Sequence, residues 1–165
     1  MWEPYKKGFR AYLQLEKSLS DNSVEAYMRD IEKLTQYLLQ AGTLKNPSEI
    51  RLADLQHFLK WIGEFGMLPA SQARIISGIK SFYKYCLIEH ISKVDPTTLL
   101  EAPKLKKSLP DTLSFEEIET ILSQIDLSTP EGGRNKAMLE MLYSCGLRVS
   151  ELVNLKISQL YFDVG

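Results

Sequence analysis

Asp95-Pro96-Thr97-Thr98-Leu99-Leu100-Glu101-Ala102-Pro103-Lys104-Leu105-Lys106-Lys107-Ser108-Leu109-Pro110 is the stretch on which the organisation of this 165-residue chain turns. Pro96, Pro103 and Pro110 break any helical pattern, and together with the basic group Lys104, Lys106 and Lys107 they give it the composition of an interdomain linker. A boundary belongs here. It separates a helical domain over 1–105, with its linker reaching about 110, from an incomplete second domain over 111–165.

Toward the N-terminus the chain reads as four amphipathic helices between short breakers. Pro69 opens the last of them, whose apolar set Ile75, Ile76, Ile79, Phe82, Tyr83 and Leu87 recurs at helical spacing until an end near His90. Before it, after the turn Asn46-Pro47-Ser48, Leu52, Leu55, Phe58, Leu59 and Ile62 form the buried face of a third helix that frays at Gly63 and Gly66. The second starts among the potential N-caps Ser20-Asp21-Asn22-Ser23, carries Val24, Tyr27, Met28, Ile31, Leu34 and Leu38, and closes at Gly42. The first runs from Pro4 to about Lys17, with Tyr5, Phe9, Tyr12, Leu13 and Leu15 mainly on one face. Four such helices can bury a core between them.

Toward the C-terminus, Ser114-Phe115-Glu116-Glu117 matches a capping box and opens a helix through about Ile125. A loop through Pro130, Gly132 and Gly133 is expected next, then a helix from Asn135 to Ser144, a break at Gly146 and a short helix from Val149 to Leu155. Ile157 to Val164 is expected to start a strand or hairpin. Roughly 55 residues are too few to bury a full core.

At 44% hydrophobic and 25% charged residues, the composition excludes disordered and collagen-like chains. No apolar run approaches the roughly 20 residues that span a bilayer, and Met1 to Lys7 do not form a signal peptide, so a cytoplasmic protein without a membrane partner is expected. Cys86 and Cys145 lack C-x-x-C spacing and read as reduced packing thiols; His57 and His90 stand alone, so no metal site is expected. The net charge of −1 conceals a division, with 16 Lys and Arg against 12 Asp and Glu up to Lys107 but 4 against 9 from Ser108 onward. The basic excess lies in the helical domain and linker.

On the fourth helix Arg74, Ser77, Ser81 and Lys84 share one polar stripe, with Lys80 beside it. Small hydroxyl residues let a helix approach DNA closely while Arg and Lys reach phosphates or base edges. A plain solvated face would show the same pattern. Arg29, Lys33, Gln36 and Gln40 repeat it on the second helix. The aromatic residues Tyr27, Trp61, Phe82, Tyr83 and Tyr85 fall at helical spacings and read as packing rather than as base-stacking platforms.

Gly146-Leu147-Arg148-Val149-Ser150-Glu151-Leu152 follows Met141-Leu142-Tyr143-Ser144-Cys145 and sets Arg148 at a helix start with Glu151 three residues on. Residue by residue this is an i,i+3 ion pair on a surface helix. As a string it resembles the first arginine motif of the tyrosine recombinase (phage integrase-like) family, the Xer-type recombinases most closely. Leu19-Ser20-Asp21-Asn22-Ser23-Val24-Glu25-Ala26-Tyr27-Met28-Arg29-Asp30 resembles the opening of that family's second core-binding helix, and Ile79-Lys80-Ser81-Phe82-Tyr83-Lys84-Tyr85 its fourth. Asp95-Pro96 with Pro103-Lys104 is similar to its interdomain linker, and Leu109-Pro110 with Leu113-Ser114 to the entry of its catalytic domain. The resemblance runs from about Tyr5 to the end of the chain.

The resemblance implies a mainly α chain: a SAM-like four-helix core-binding domain followed by the N-terminal helical portion of a tyrosine recombinase catalytic domain. In that family the two domains clamp double-stranded DNA, and a tyrosine attacks the scissile phosphate to give a 3′-phosphotyrosyl intermediate. Strand exchange then passes through a four-way junction among the protomers of a tetrameric synaptic complex, with no metal or nucleotide cofactor. Arg148 matches the first of two arginines that hold the phosphate, and Glu151 the acidic position that supports it. DNA contacts are expected from Asn22, Ser23, Arg29 and Lys33 on the second helix and from Arg74, Ser77, Lys80, Ser81 and Lys84 on the fourth.

The family's catalytic lysine, histidine-x-x-arginine motif, second histidine or tryptophan and nucleophilic tyrosine all fall beyond Gly165, and neither Tyr143 nor Tyr161 matches the nucleophile's place. The expectation is a monomeric, DNA-binding fragment of a recombinase that does not itself cleave DNA. The alternative is a non-enzymatic helical DNA-binding or protein-interaction module that shares only the bundle. An in-frame continuation carrying a histidine-x-x-arginine motif and a later tyrosine would separate the two.

Overall fold

Pro4, whose missing N–H would have no partner in a first turn anyway, stands at the start of α1 (Glu3–Ala11) in the computed structural model, which describes residues 2–105 and 109–160. A π-helical turn, Tyr12–Glu16, continues it. This turn breaks the expected single apolar face: Tyr12 and Leu13 are buried, whereas Leu15 is turned out and 80% exposed. α2 (Asp21–Gln40) starts after Ser20, which has the extended backbone of an N-cap but makes no side-chain capping bond; its hydroxyl lies 3.1 Å from that of Ser23. α3 (Leu52–Glu64) buries Leu55, Phe58 and Ile62 and leaves Leu52 and Leu59 half-buried. At its start Asp54 accepts from the Arg51 backbone N–H at 2.8 Å and pairs with Lys45 at 2.7 Å. α4 (Pro69–Ile88) buries Ile75, Ile76, Ile79, Phe82 and Tyr83 as expected, and also Gly78, Tyr85 and Cys86. Leu87, expected in the core, is 37% exposed because Cys86 takes the inward position of the last turn.

These helices form the first of two units, Met1–Lys107 and Ser108–Gly165. Phe82 sits at the centre of its core, with the rings of Phe9 at 5.3 Å and Trp2 at 5.6 Å. The polar tips of the large aromatics reach the connection between α2 and α3: the Trp2 indole N–H donates to the Lys45 carbonyl at 2.8 Å and the Tyr83 hydroxyl to the Pro47 carbonyl at 3.2 Å. The first residues of the proline-containing stretch also belong to this unit. Asp95 accepts from the Thr97 amide and hydroxyl at 2.8 and 2.6 Å, and Leu100 is buried.

Both cysteines are free, Cys86 buried and Cys145 exposed. Burial pushes the Cys86 thiol up to about 12. A thiol reagent at mildly alkaline pH should therefore label Cys145 at once and Cys86 only as the first unit opens. Two equally fast thiols would contradict the buried assignment.

In the second unit, α5 (Phe115–Ser123) is closed by the expected capping box, the Glu117 amide donating to the Ser114 hydroxyl at 3.2 Å and the Ser114 amide to the Glu117 carboxylate at 2.8 Å. α6 (Pro130–Cys145) overturns the expected loop through Pro130, Gly132 and Gly133. Pro130 takes a first-turn position and the Thr129 hydroxyl accepts from the Gly132 amide at 3.1 Å, so the helix starts five residues before Asn135. Gly146 ends it at φ 61°, a left-handed conformation suited to glycine. α7 (Val149–Val153) is shorter than expected and a 3₁₀ turn, Ile157–Gln159, replaces the start of the expected strand; residues 161–164 of that expectation lie outside the described residues. No strand occurs among the described residues.

Among the described residues of this unit no apolar side chain is fully buried; Ile118, Leu122, Met138, Leu142, Leu152 and Leu155 are half-covered. No described helix of the chain is long and apolar enough to cross a membrane.

Candidate nucleic-acid interface

α4 carries Arg74, Lys80 and Lys84 and not one acidic residue over its twenty positions. Its inward face is aliphatic and aromatic, so the cations fall outside: Arg74, Ser77, Lys80 and Lys84 are exposed and Ser81 is half-buried. Ser77 donates its hydroxyl proton to the Ala73 carbonyl at 3.1 Å, which leaves the oxygen's lone pairs for an outside donor. On α2, Asn22 and Arg29 are exposed, and Ser23 and Lys33 half-buried. Among the described residues Arg29, Lys33, Lys80 and Lys84 have no ion-pair partner. Two of the three α1 cations differ, since Lys6 pairs with Glu32 at 2.7 Å and with Glu3, and Arg10 with Glu25 at 2.6 Å.

The two stripes meet at Asp30. This carboxylate is 1% exposed and accepts from Arg74 Nη1 at 2.8 Å through Oδ2, while Nη2 lies 2.7 Å from Oδ1. The second contact is close but poorly aligned, and Oδ1 is left without a hydrogen bond. Burial pushes the Asp30 carboxyl above the usual carboxylate range, and the guanidinium of Arg74, with Lys33 and Arg29 further off, offsets only part of that shift. The folded state therefore holds this proton more tightly than the unfolded chain does, so Asp30 favours folding as pH falls through its folded pKa. Gly78 is where α4 crosses it: a Cβ there would lie 2.9 Å from the Asp30 Cβ and 3.0 Å from its Cγ. Arg74, expected on the polar stripe, has its inner edge engaged by Asp30 while its side chain stays 49% exposed.

In the second unit Arg148 is the N-cap of α7. Glu151 reaches back to accept from the Arg148 backbone N–H at 2.7 Å and from Nη1 at 3.0 Å. The arginine side chain is 82% exposed, so the rest of its donor fork faces outward.

The comparisons with known proteins follow the same division. Residues 7–90 match the family model described as Phage integrase, N-terminal SAM-like domain, and residues 111–165 match that of the Phage integrase family. The chain belongs to the phage integrase family. Relatives in it include the tyrosine recombinase XerD of Listeria innocua, 39% identical over 95% of this chain and 53% of that protein. The tyrosine recombinase XerD of Pseudomonas aeruginosa is 43% identical over 93% of this chain and 51% of its own length. The chain thus spans about half the length of the curated relatives it matches. A solved structure, the crystal structure of XerA recombinase, shares the fold with a TM-score of 0.50 at 24% identity, over 98% of this chain and 52% of that one.

Within this integrase-family chain, reading the sequence for polar stripes missed Asp30 and Gly78. A signal was present. Asp30 stands three residues after Tyr27 and four before Leu34, on the apolar side of α2, where a charge demands a partner. Gly78 interrupts the run Ile75, Ile76, Ile79, Phe82 of α4, the mark of a close approach by another element.

Proposed function

We propose that this chain is the DNA-binding portion of a Xer-like, site-specific tyrosine recombinase, in which residues 1–105 form the core-binding domain and 111–165 open the catalytic domain. The observation that carries the reading is α4, a twenty-residue helix with three cations and no acid, beside the unpaired Arg29 and Lys33 of α2. Each Lys or Arg that neutralises a phosphate releases condensed counterions from the duplex, which favours binding without reading sequence. Ser77 and Ser81 keep the helix surface low between the cations, so the backbone can come close to a groove, and Asn22 and Ser23 lie at the start of α2 for contacts to the sugar-phosphate chain.

In the whole recombinase, Arg148 holds the scissile phosphate. A guanidinium keeps its charge throughout and offers planar, paired donors to the non-bridging oxygens on which negative charge develops. Glu151 takes one Nη1 hydrogen and the backbone N–H, fixing the start of α7 and the root of the side chain while the outer donors stay free. A tyrosine hydroxyl attacks phosphorus, the 5′ oxygen leaves with a proton, and the covalent phosphotyrosine preserves the energy of the broken bond for rejoining. The protein works in the cytoplasm on double-stranded DNA, with other recombinase protomers assembled across two sites.

Lys80→Ala combined with Lys84→Ala tests the interface. Duplex affinity measured by fluorescence anisotropy should drop about tenfold, roughly 1.4 kcal/mol, with the thermal melt unchanged. An unaltered affinity would return the α4 stripe to a solvated face.

A further inference from the structure

We propose that Asp30 is a positioning residue for DNA binding, which holds the Arg74 guanidinium in one orientation on the basic face so that its outer N–H groups meet a backbone phosphate. The proposal rests on the DNA-binding reading above. A guanidinium has five N–H donors, and two of its edges are separable: here Nη1 and Nη2 both turn inward to the carboxylate, at 2.8 and 2.7 Å. Nε–H and the outward hydrogens of the two Nη atoms remain, on a side chain that is half exposed. The carboxylate itself has nowhere to go. It is held in the middle of α2, buried, with the backbone of Gly78 against it. The conformational freedom of a long arginine is thus lost at folding rather than at binding, and the donors that face DNA are already aimed.

Charge alone argues the other way. A carboxylate between Arg29, Lys33 and Arg74 repels phosphate and weakens the basic face it sits behind. Simple attraction to DNA gives no reason for an acid at this place, and packing gives none for a buried carboxylate with one oxygen lacking a hydrogen bond. Orientation of Arg74 accounts for the acid, and Oδ1, though without a hydrogen bond, stays 2.7 Å from Nη2 of the same guanidinium. The two accounts predict opposite signs for the same isosteric change, which makes them easy to separate.

The experiment is binding of the 165-residue chain to a short fluorescent duplex over a series of salt concentrations, with a thermal melt of every variant. Asp30→Asn removes a negative charge, yet affinity should fall about tenfold, as loss of a charge-assisted phosphate contact demands, and the salt slope should shrink by about one. Gly78→Ala, which displaces the carboxylate without altering any charge, should lose a similar factor. On an Arg74→Ala background Asp30→Asn should no longer weaken binding, because only the repulsion between carboxylate and phosphate is left to remove. Equal or tighter binding by Asp30→Asn, with the wild-type chain binding normally, overturns the positioning role alone. Salt-independent binding or none by the wild type overturns the DNA-binding reading and this role with it. Should both Asp30→Asn and Gly78→Ala fail to fold, the Arg74 side-chain N–H signals of the wild type decide by NMR. Restricted guanidinium rotation that persists on adding duplex supports the proposal, and free rotation in the complex overturns it.

Discussion

Phe82→Ala is expected to lower the stability of the first unit by about 3–5 kcal/mol, the usual cost of truncating a buried aromatic. Phe82 is fully buried and its ring meets those of Trp2, Phe9, Tyr83 and Tyr85, with centroids between 5.3 and 6.2 Å. Four aromatic rings lose a neighbour at once when the Phe82 ring goes, and rigid aromatic neighbours cannot collapse into the gap. Against a total of about 5–15 kcal/mol for a small domain, the loss removes a large share of the unit's stability. Urea unfolding followed by tryptophan fluorescence measures it, because Trp2 stacks on Phe82 and reports the same region. A shift below about 1 kcal/mol would place Phe82 outside the centre of the core. The second unit, with no apolar side chain fully buried among its described residues, should exchange its amide hydrogens quickly in wild type and variant alike.

Arg148→Ala, in a full-length recombinase carrying this chain, is expected to cut covalent DNA–protein complex formation about 10³-fold or more, the range seen when an arginine that stabilises a phosphoryl transition state is removed. Binding of the duplex should change far less if, as proposed, the neutralising contacts lie on α2 and α4 while Arg148 acts on one phosphate as charge develops there. Arg148→Lys separates position from charge: a point-like ammonium cannot reproduce paired donors, so it should recover only a small part of the loss. A normal yield of covalent complex from Arg148→Ala would remove this residue from the phosphate site. Glu151→Gln should have a milder effect, since an amide oxygen still accepts from the Arg148 backbone N–H.

The order of helices in the first unit was legible because each buries one face at a regular spacing. Ile75, Ile79 and Phe82, or Leu55, Phe58 and Ile62, announce themselves. Where the spacing is locally broken the reading failed. Leu15 follows a π-helical turn that shifts the phase, and Pro130 with two glycines looks like a loop until the Thr129 cap is seen to hold the first turn of α6. The Asp30–Arg74 pair joins residues 44 apart in sequence, and no periodicity within one helix encodes a contact across two. Arg148 marks another limit. Its exposed ion pair with Glu151 looks like many others on a helix surface, and only the surrounding string, Gly146 to Leu152, singled it out. The family membership was legible because the order of motifs spans both units, as the matches over 7–90 and 111–165 do.

The salt dependence of duplex binding tests the central claim most directly. If α2 and α4 present phosphate-neutralising cations, log K falls linearly with log salt by about 0.9 for every phosphate engaged, and replacing Lys80 and Lys84 with alanine reduces that slope by about two. Affinity that does not change with salt, or a double variant that keeps the full wild-type slope, would contradict the account.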